Sequence, residues 1–287
     1  MTSFETLEDH LDAVQTGDAR TAAVAETIEA IAAACIDIAA LVALAPLNEH
    51  REQLCGVSSG GGTEPAVLLE SNRILLDALR DTPVACVVSR VNEEPVPMNV
   101  DAPLIVATTP LHRSAKIDIN VPLGSIFSIL PRPEGSGCRG VLQPGANQLA
   151  AGYCIYGPQT ILVLTLGAGT HMFTLDRELG RFLLTHSDVR INARTTEFSI
   201  NSSNYRFWEP PIRTYVDDCL EGVDGPRGAN YNMRWNASLV ISCHRILVRG
   251  GIFLYPADRR RGYATGRLKL MYECAPIAFL VEQAGGR

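Results

Sequence analysis

From about residue 18 to 45, alanine, isoleucine and valine recur at helical spacing, which predicts a long helix with a buried face. Ala66 to Leu79 predicts a second helix, with Glu70, Asn72 and Arg73 on its polar side. The rhythm then changes. Val84 to Val88 and Leu104 to Thr108 are short unbroken apolar runs, the pattern of buried strands, and Ile117 to Leu130 alternates as a strand should. Pro131 to Gly140 is a turn rich in proline and glycine. Gly152 to Pro158 reads as a turn feeding a strand over Thr160 to Thr165, and Met172 to Leu184 as a hairpin turning near Asp176-Arg177-Glu178. Pro211 to Leu220 and Asn236 to Leu247 suit helices, Gly251 to Tyr255 and Leu268 to Tyr272 strands, and Pro276 to Gly285 a helix closed by glycines. Helices and strands alternate loosely rather than in strict β-α-β order. The expected class is therefore α/β in its mixed α+β form, built in stacked layers, with a soft boundary near residues 185–200.

Composition narrows the function. A chain of 287 residues with 46% hydrophobic and 20% charged residues buries a large core, as one domain or two fused ones. Its net charge of −6, with no basic run carrying interleaved aromatics, argues against nucleic acid and acidic membranes as partners. Ile31 to Pro46 carries Asp37 and reads as too short to span a bilayer, and Met1 to Glu5 lacks the start of a signal peptide. Cysteines at 35, 55, 86, 138, 154, 219, 243 and 274 include no Cys-x-x-Cys pair. Reduced thiols in the cytoplasm are the expectation, not a zinc site or a disulfide framework.

Isolated motifs carry little. Gly56-Val57-Ser58-Ser59-Gly60 matches the G-x-S-x-G of serine hydrolases, but no strand leads into it and no helix follows at once; a glycine-rich loop through Thr63 is the better account. Cys243-His244 lies in an apolar helical segment, where neighbours point apart, so a packed cysteine beside a surface or capped histidine is expected. His10, His50, His171 and His186 have no partner at ligand spacing. The stretch from Phe198 through Asn201, Asn204, Tyr205 and Trp208 is polar, aromatic and loop-like together, and Arg234, Tyr255 and Arg267 follow it. Guanidinium groups suit phosphate oxygens, while tyrosine and asparagine suit hydroxyls.

Four blocks give these residues a context. Thr109-Pro110-Leu111-His112-Arg113-Ser114-Ala115-Lys116-Ile117-Asp118 resembles the magnesium- and phosphate-binding signature of class I fructose-1,6-bisphosphatases, Asp-Pro-Leu-Asp-Gly-Ser-Ser-Asn-Ile-Asp. Ile117 to Ile129, Ala151 to Pro158, and the length from Phe198 nearly to the end resemble the same family. The resemblance is clear over about residues 100–287 and faint before them. It implies a layered αβαβα phosphatase, an N-terminal domain of residues 1–190 carrying the metal-site turn, and a C-terminal sugar-phosphate domain of residues 191–287. The chain stops at Gly285-Gly286-Arg287, some tens of residues before the family's members end, so that second domain is expected to be incomplete. The implied reaction is hydrolysis of the 1-phosphate of fructose 1,6-bisphosphate with magnesium, in gluconeogenesis or the Calvin cycle, by a cytoplasmic homotetramer. By resemblance, Asn201, Tyr255, Arg267 and Ser114 contact substrate, with Arg234 reaching in from a neighbouring subunit. Glu273 and the backbone carbonyl of Leu111 match metal-binding positions.

The departures concentrate on the metal. Where the family has Ser-Glu-Glu this chain has Ser89-Arg90-Val91, and Thr109 and His112 replace its two aspartates. The helix near Leu68 and Asn72 also lacks expected aspartates. The family's four carboxylates with Glu273 would carry five negative charges; here Glu273 remains and Arg90 opposes it. Magnesium binds through carboxylates in octahedral array, so one carboxylate and one carbonyl make a weak cage. Three readings follow. One is an ordinary enzyme whose sequence as written carries local errors near residues 63–73, 89–92 and 109–116. Another is a non-catalytic sugar-phosphate binder in which Arg90, Arg113 and Lys116 hold the 1-phosphate directly. The third is a site moved toward manganese or zinc through His112.

Overall fold

The computed structural model describes residues 4–15, 17–45, 55–57 and 63–287. Ser58 to Gly60, and with them the G-x-S-x-G reading, lie outside the described residues. Helices α1 (Leu7–Val14), α2 (Ala19–Leu44) and α3 (Ala66–Ala78) come first, with a short antiparallel pair, β1 (Cys55–Val57) and β2 (Thr63–Pro65), between the last two. A capping box starts α1: Thr6 and Asp9 each accept from the other's backbone N–H at 3.1 Å. Strands β3 (Val84–Ser89), β4 (Val96–Pro97), β5 (Leu104–His112), β6 (Leu123–Pro131), β7 (Ala150–Tyr156), β8 (Thr160–Thr165), β9 (His171–Asp176) and β10 (Arg181–His186) form one mixed sheet. Its order is β10-β9-β8-β7-β6-β5-β3-β4. The pair β3–β5 is parallel, so both strands end at the same edge of the sheet. A second sheet joins β11 (Glu197–Ser199), β12 (Asn232–Met233) and β13 (Ile252–Phe253) in the order β12-β11-β13, and α4 (Pro210–Leu220), α5 (Leu239–Arg249) and α6 (Ala275–Gln283) complete the chain.

The pleat sorts side chains into two cores. Leu104, Val106, Phe127, Ile129, Cys154 and Tyr156 face α1, α2 and α3; Ile126, Tyr153, Ile155 and Val163 face α5 and α6. Beyond α5 lies the second sheet, and α4 closes the stack by packing Val216 and Cys219 with Phe198, Ile200 and the buried Trp208. The five layers are the αβαβα arrangement expected. Fully buried isoleucines of α2, such as Ile28 and Ile38, contribute about 1.5–3 kcal/mol each.

Several sequence expectations need correction. Gly152 to Pro158 is strand β7 up to Tyr156, not a turn. Gly152 is needed there because an added Cβ would lie 2.5 Å from the Phe127 ring and 2.7 Å from the Val163 carbonyl. Leu268 to Tyr272 is not a strand: Leu270–Cys274 forms a π-helical turn leading into α6. Ile117 to Ile119 belongs to a 3-10 turn, and β6 starts only at Leu123. By length and composition, α2 is long and apolar enough to cross a membrane, unlike the shorter stretch read from sequence. Here its Val24, Ile28, Ile31, Cys35 and Ile38 are buried in the protein core. His10, for which no partner at ligand spacing was expected, makes a packing contact instead: it bonds Glu5 at 3.0 Å and sets its ring on His171.

Candidate functional site

A bulge decides what the end of β5 presents. Thr109 pairs with Ile126 but His112 with Gly124, so β5 holds one residue more than β6 across this step. Pro110, which has no N–H to lose from the ladder, sits in the bulge. Before it, even-numbered residues such as Val106 face α3; after it, Leu111 takes that face and His112 turns to the other. There His112 Nδ1 meets Glu273 Oε1 at 2.9 Å, both side chains being within 7% of full burial. The π-helical turn delivers Glu273 to this point. A π-turn inserted before a helix re-aims one residue at a functional site. Thr109 Oγ1 helps to dock it through the Tyr272 carbonyl at 3.4 Å.

The partners of this pair define its state. Glu273 Oε2 accepts from the Lys269 N–H at 2.8 Å, so both carboxylate oxygens are engaged. His112 Nε2 accepts from the Leu239 N–H at the start of α5, at 3.5 Å. An accepting Nε2 places the proton on Nδ1, which then donates to Glu273. Burial pushes the Glu273 carboxyl up, but the hydrogen bonds from His112 and the Lys269 N–H, with the Arg90 charge nearby, outweigh it and hold the group below its ordinary value. Gly124, opposite His112, makes room for α5: a Cβ there would lie 2.7 Å from the Cys154 carbonyl and 2.8 Å from Val240.

Around the pair opens a cleft of about 260 Å³. Arg90, His112, Arg113, Ser114, Ala115, Tyr255, Arg267, Leu268, Lys269 and Glu273 line it. Arg90 arrives because β3 ends beside β5, and its backbone N–H bonds the Thr108 carbonyl at 3.0 Å. Asn72 of α3 secures that corner, accepting from Ser89 Oγ at 2.6 Å and donating to Asn92 at 3.0 Å. Arg113 holds a left-handed backbone, φ 67° and ψ 24°, where the resemblance has glycine. That geometry costs an arginine about 1–2 kcal/mol. Its Nε is buried with no hydrogen-bond partner among the described residues. Tyr255 is placed by an aromatic cluster with Trp235 and Phe253, and Arg267 lies over the Tyr263 ring at 4.5 Å. A larger cleft lined by Leu130, Val141, Met271 and Phe279 is chiefly apolar and offers no cation to a phosphate.

Of the residues singled out in the sequence, Arg90, His112, Ser114, Tyr255, Arg267 and Glu273 come together in this cleft. Leu111 is buried in the core, and Thr109 is turned to the π-helical turn. Val91 and Asn201 do not line the cleft; Asn201 caps the 3-10 turn Ser202–Phe207. Arg234 lines a separate groove beside His244 and Arg245, 3.5 Å from Glu197. Lys269 was missed by the sequence reading, and so was the His112–Glu273 contact, which spans 161 residues. Cys243 is buried, and His244 bonds the Tyr153 hydroxyl at 3.0 Å, so neither forms a reactive pair.

The residues present do not fit magnesium. Both oxygens of the one carboxylate lining the cleft already hold donors, and arginines stand beside it. Among the described residues, no three His, Cys, Asp or Glu side chains cluster to hold an ion.

Two family profiles span the chain. That for "Fructose-1-6-bisphosphatase, N-terminal domain" matches residues 5–187, and that for the "C-terminal domain" of the same family matches residues 191–287. A class 1 fructose-1,6-bisphosphatase of Xanthobacter autotrophicus is 48% identical over 94% of this chain and 73% of its own length. One from Methylorubrum populi is 45% identical over 98% of this chain and 81% of its own. The holo-form crystal structure of Leishmania major fructose-1,6-bisphosphatase superposes with a TM-score of 0.88 at 29% identity, covering 99% of this chain and 87% of that one.

Proposed function

Because this chain belongs to the class 1 fructose-1,6-bisphosphatase family, we propose that it hydrolyses the 1-phosphate of fructose 1,6-bisphosphate, giving fructose 6-phosphate and phosphate. The observation that carries this is identity of 45–48% with enzymes of that name over nearly the whole chain. The cleft suits such a substrate, since Arg90, Arg113, Arg267 and Lys269 oppose one carboxylate around it. Arg267 and Tyr255 hold the 6-phosphate end of the sugar, while Ser114, Arg90 and Arg113 face the phosphate that leaves. In the reaction a water oxygen bonds to phosphorus, the bond from phosphorus to the C1 oxygen breaks, and a proton from that water passes to the C1 oxygen, which leaves as the hydroxyl of fructose 6-phosphate. The arginines offset charge on the phosphoryl oxygens throughout that exchange.

The working setting we propose is carbohydrate metabolism in the cytoplasm, in gluconeogenesis or the Calvin cycle, as a homotetramer with two domains meeting near residue 190. The place of Arg234, outside its own chain's cleft, supports its service to a neighbouring subunit. The resemblance implies magnesium at Glu273 and Leu111, but the engaged carboxylate does not accommodate it as the side chains stand. The same pairing favours a second reading, a binder that retains the sugar phosphate without hydrolysing it. Phosphate release from fructose 1,6-bisphosphate, followed with magnesium, manganese or chelator, separates the two. Turnover in any of the three supports the hydrolase; none, with folded protein that still binds substrate, supports the binder.

A further inference from the structure

We infer that this chain holds the substrate's 1-phosphate through Arg90 and Arg113 directly, with protein cations standing where the family places metal. The inference rests on the substrate reading above and deepens it. Three observations carry it. Arg113 occupies a left-handed backbone position at the mouth of the cleft, which favours glycine, so an arginine persists there against a steric cost. Its buried Nε lacks an acceptor among the described residues, and a shift of the guanidinium toward a bound phosphate oxygen would supply one. The third observation is mutual consistency. The carboxylate that survives, Glu273, is matched by the imidazole standing where a carboxylate would be, and both of its oxygens are satisfied. Errors in the sequence have no reason to produce a satisfied buried pair between positions 161 residues apart. With both Glu273 oxygens taken up inside the protein, Arg90 and Arg113 are left to face an incoming dianion.

The test is calorimetric titration of the full chain with fructose 1,6-bisphosphate, fructose 6-phosphate and inorganic phosphate, with chelator and with magnesium. The expected result is bisphosphate binding that changes less than about threefold between chelator and magnesium and weakens as salt is raised. Arg90→Ala and Arg113→Gly should each weaken the bisphosphate about tenfold and leave fructose 6-phosphate within about twofold. Arg113→Gly relieves the backbone, so it should not fail by misfolding. Arg267→Ala should weaken both sugar ligands, which separates the two ends of the site. Binding that collapses in chelator overturns the inference, as do Arg90 and Arg113 variants that leave the bisphosphate unchanged. If neither sugar binds under any condition, the substrate reading has failed. Inorganic phosphate then decides the inference alone: metal-independent binding lost in both variants upholds it, and no binding overturns it.

Discussion

His112→Ala tests the reading that a buried histidine–carboxylate contact has taken over the centre of the site. Both partners are nearly sealed from solvent, at 6% and 7% exposure. The substitution strips Glu273 Oε1 of its donor at 2.9 Å and leaves Oε2 with the Lys269 N–H alone. A buried charged acceptor deprived of one donor loses about 2–3 kcal/mol, and removing one member of a buried pair costs about 3–5 kcal/mol. The positive charge of Arg90 favours the ionised Glu273 and offsets part of this, so the lower end, about 3 kcal/mol, is expected. In a chain of this length about 1 kcal/mol moves the thermal midpoint by roughly 2 °C, giving a fall near 6 °C. Urea denaturation followed by circular dichroism and tryptophan fluorescence, at one protein concentration, measures it. Adding Glu273→Met to His112→Ala should cost little more than either change alone, a coupling of about 2 kcal/mol, because both polar groups then leave together. A His112→Ala variant within about 0.5 kcal/mol of the parent, or two losses that simply add, would falsify the account.

Gly124→Ala should destabilise by about 1–3 kcal/mol, since the new methyl meets the Cys154 carbonyl at 2.7 Å and Val240 at 2.8 Å; an unchanged midpoint in thermal denaturation would show that α5 is free to retreat. Trp208→Ala empties the core between α4 and the second sheet and should cost about 3–5 kcal/mol by the same assay. Burial, with His186 nearby, holds His244 below its ordinary value of 6.5, and burial with His10 does the same for His171. Their contribution is complete above 6.5 and is lost as pH falls from there through the lowered folded-state values, because the unfolded chain protonates first. Midpoints should therefore drop between about pH 7.5 and about pH 5.5, and His244→Gln should flatten that slope; an unaltered slope rules His244 out. Restoring carboxylates with Arg90→Glu, Val91→Glu, Thr109→Asp and His112→Asp together should lower the midpoint in chelator and make it rise with magnesium, which the parent should not do. A variant indifferent to magnesium would show that the backbone here no longer frames a metal cage.

The layers were readable from the chain because they rest on local periodicity. The apolar runs of β3 and β5, the long α2 and the amphipathic α5 each carry their own signal. What failed needed information from elsewhere in the chain. Strand β7 reads as a turn because Gly152 and Gly157-Pro158 punctuate it, yet Gly152 is there to admit the Phe127 ring from the neighbouring strand. The π-helical turn reads as a strand because Leu268, Leu270 and Tyr272 alternate, while its real shape follows from docking against β5 and β6. The site divided the same way. Tyr255, Arg267, Ser114 and Glu273 were legible through motifs that resemble a family. The meaning of His112 was not, because a substituted ligand announces only a loss. Its gain, the contact with Glu273, exists in space and has no counterpart in spacing.

That contact explains how one fold tolerates a reversal of charge at its centre. Carboxylates gathered for metal repel one another unless the metal is present, so each could be replaced without harm to the apo protein. With His112 beside Glu273, the one carboxylate lining the cleft is paired, and the cations at positions 90 and 113 face no second carboxylate there. The cleft lining carries Arg90, Arg113, Arg267 and Lys269 against Glu273, a balance of charge that favours phosphate over divalent cations. On the inference drawn above, any hydrolysis this chain performs draws its charge stabilisation from guanidinium groups. Such groups orient and neutralise a phosphoryl group but do not by themselves produce hydroxide from water, so slow turnover with firm substrate binding is the signature this electrostatic arrangement predicts.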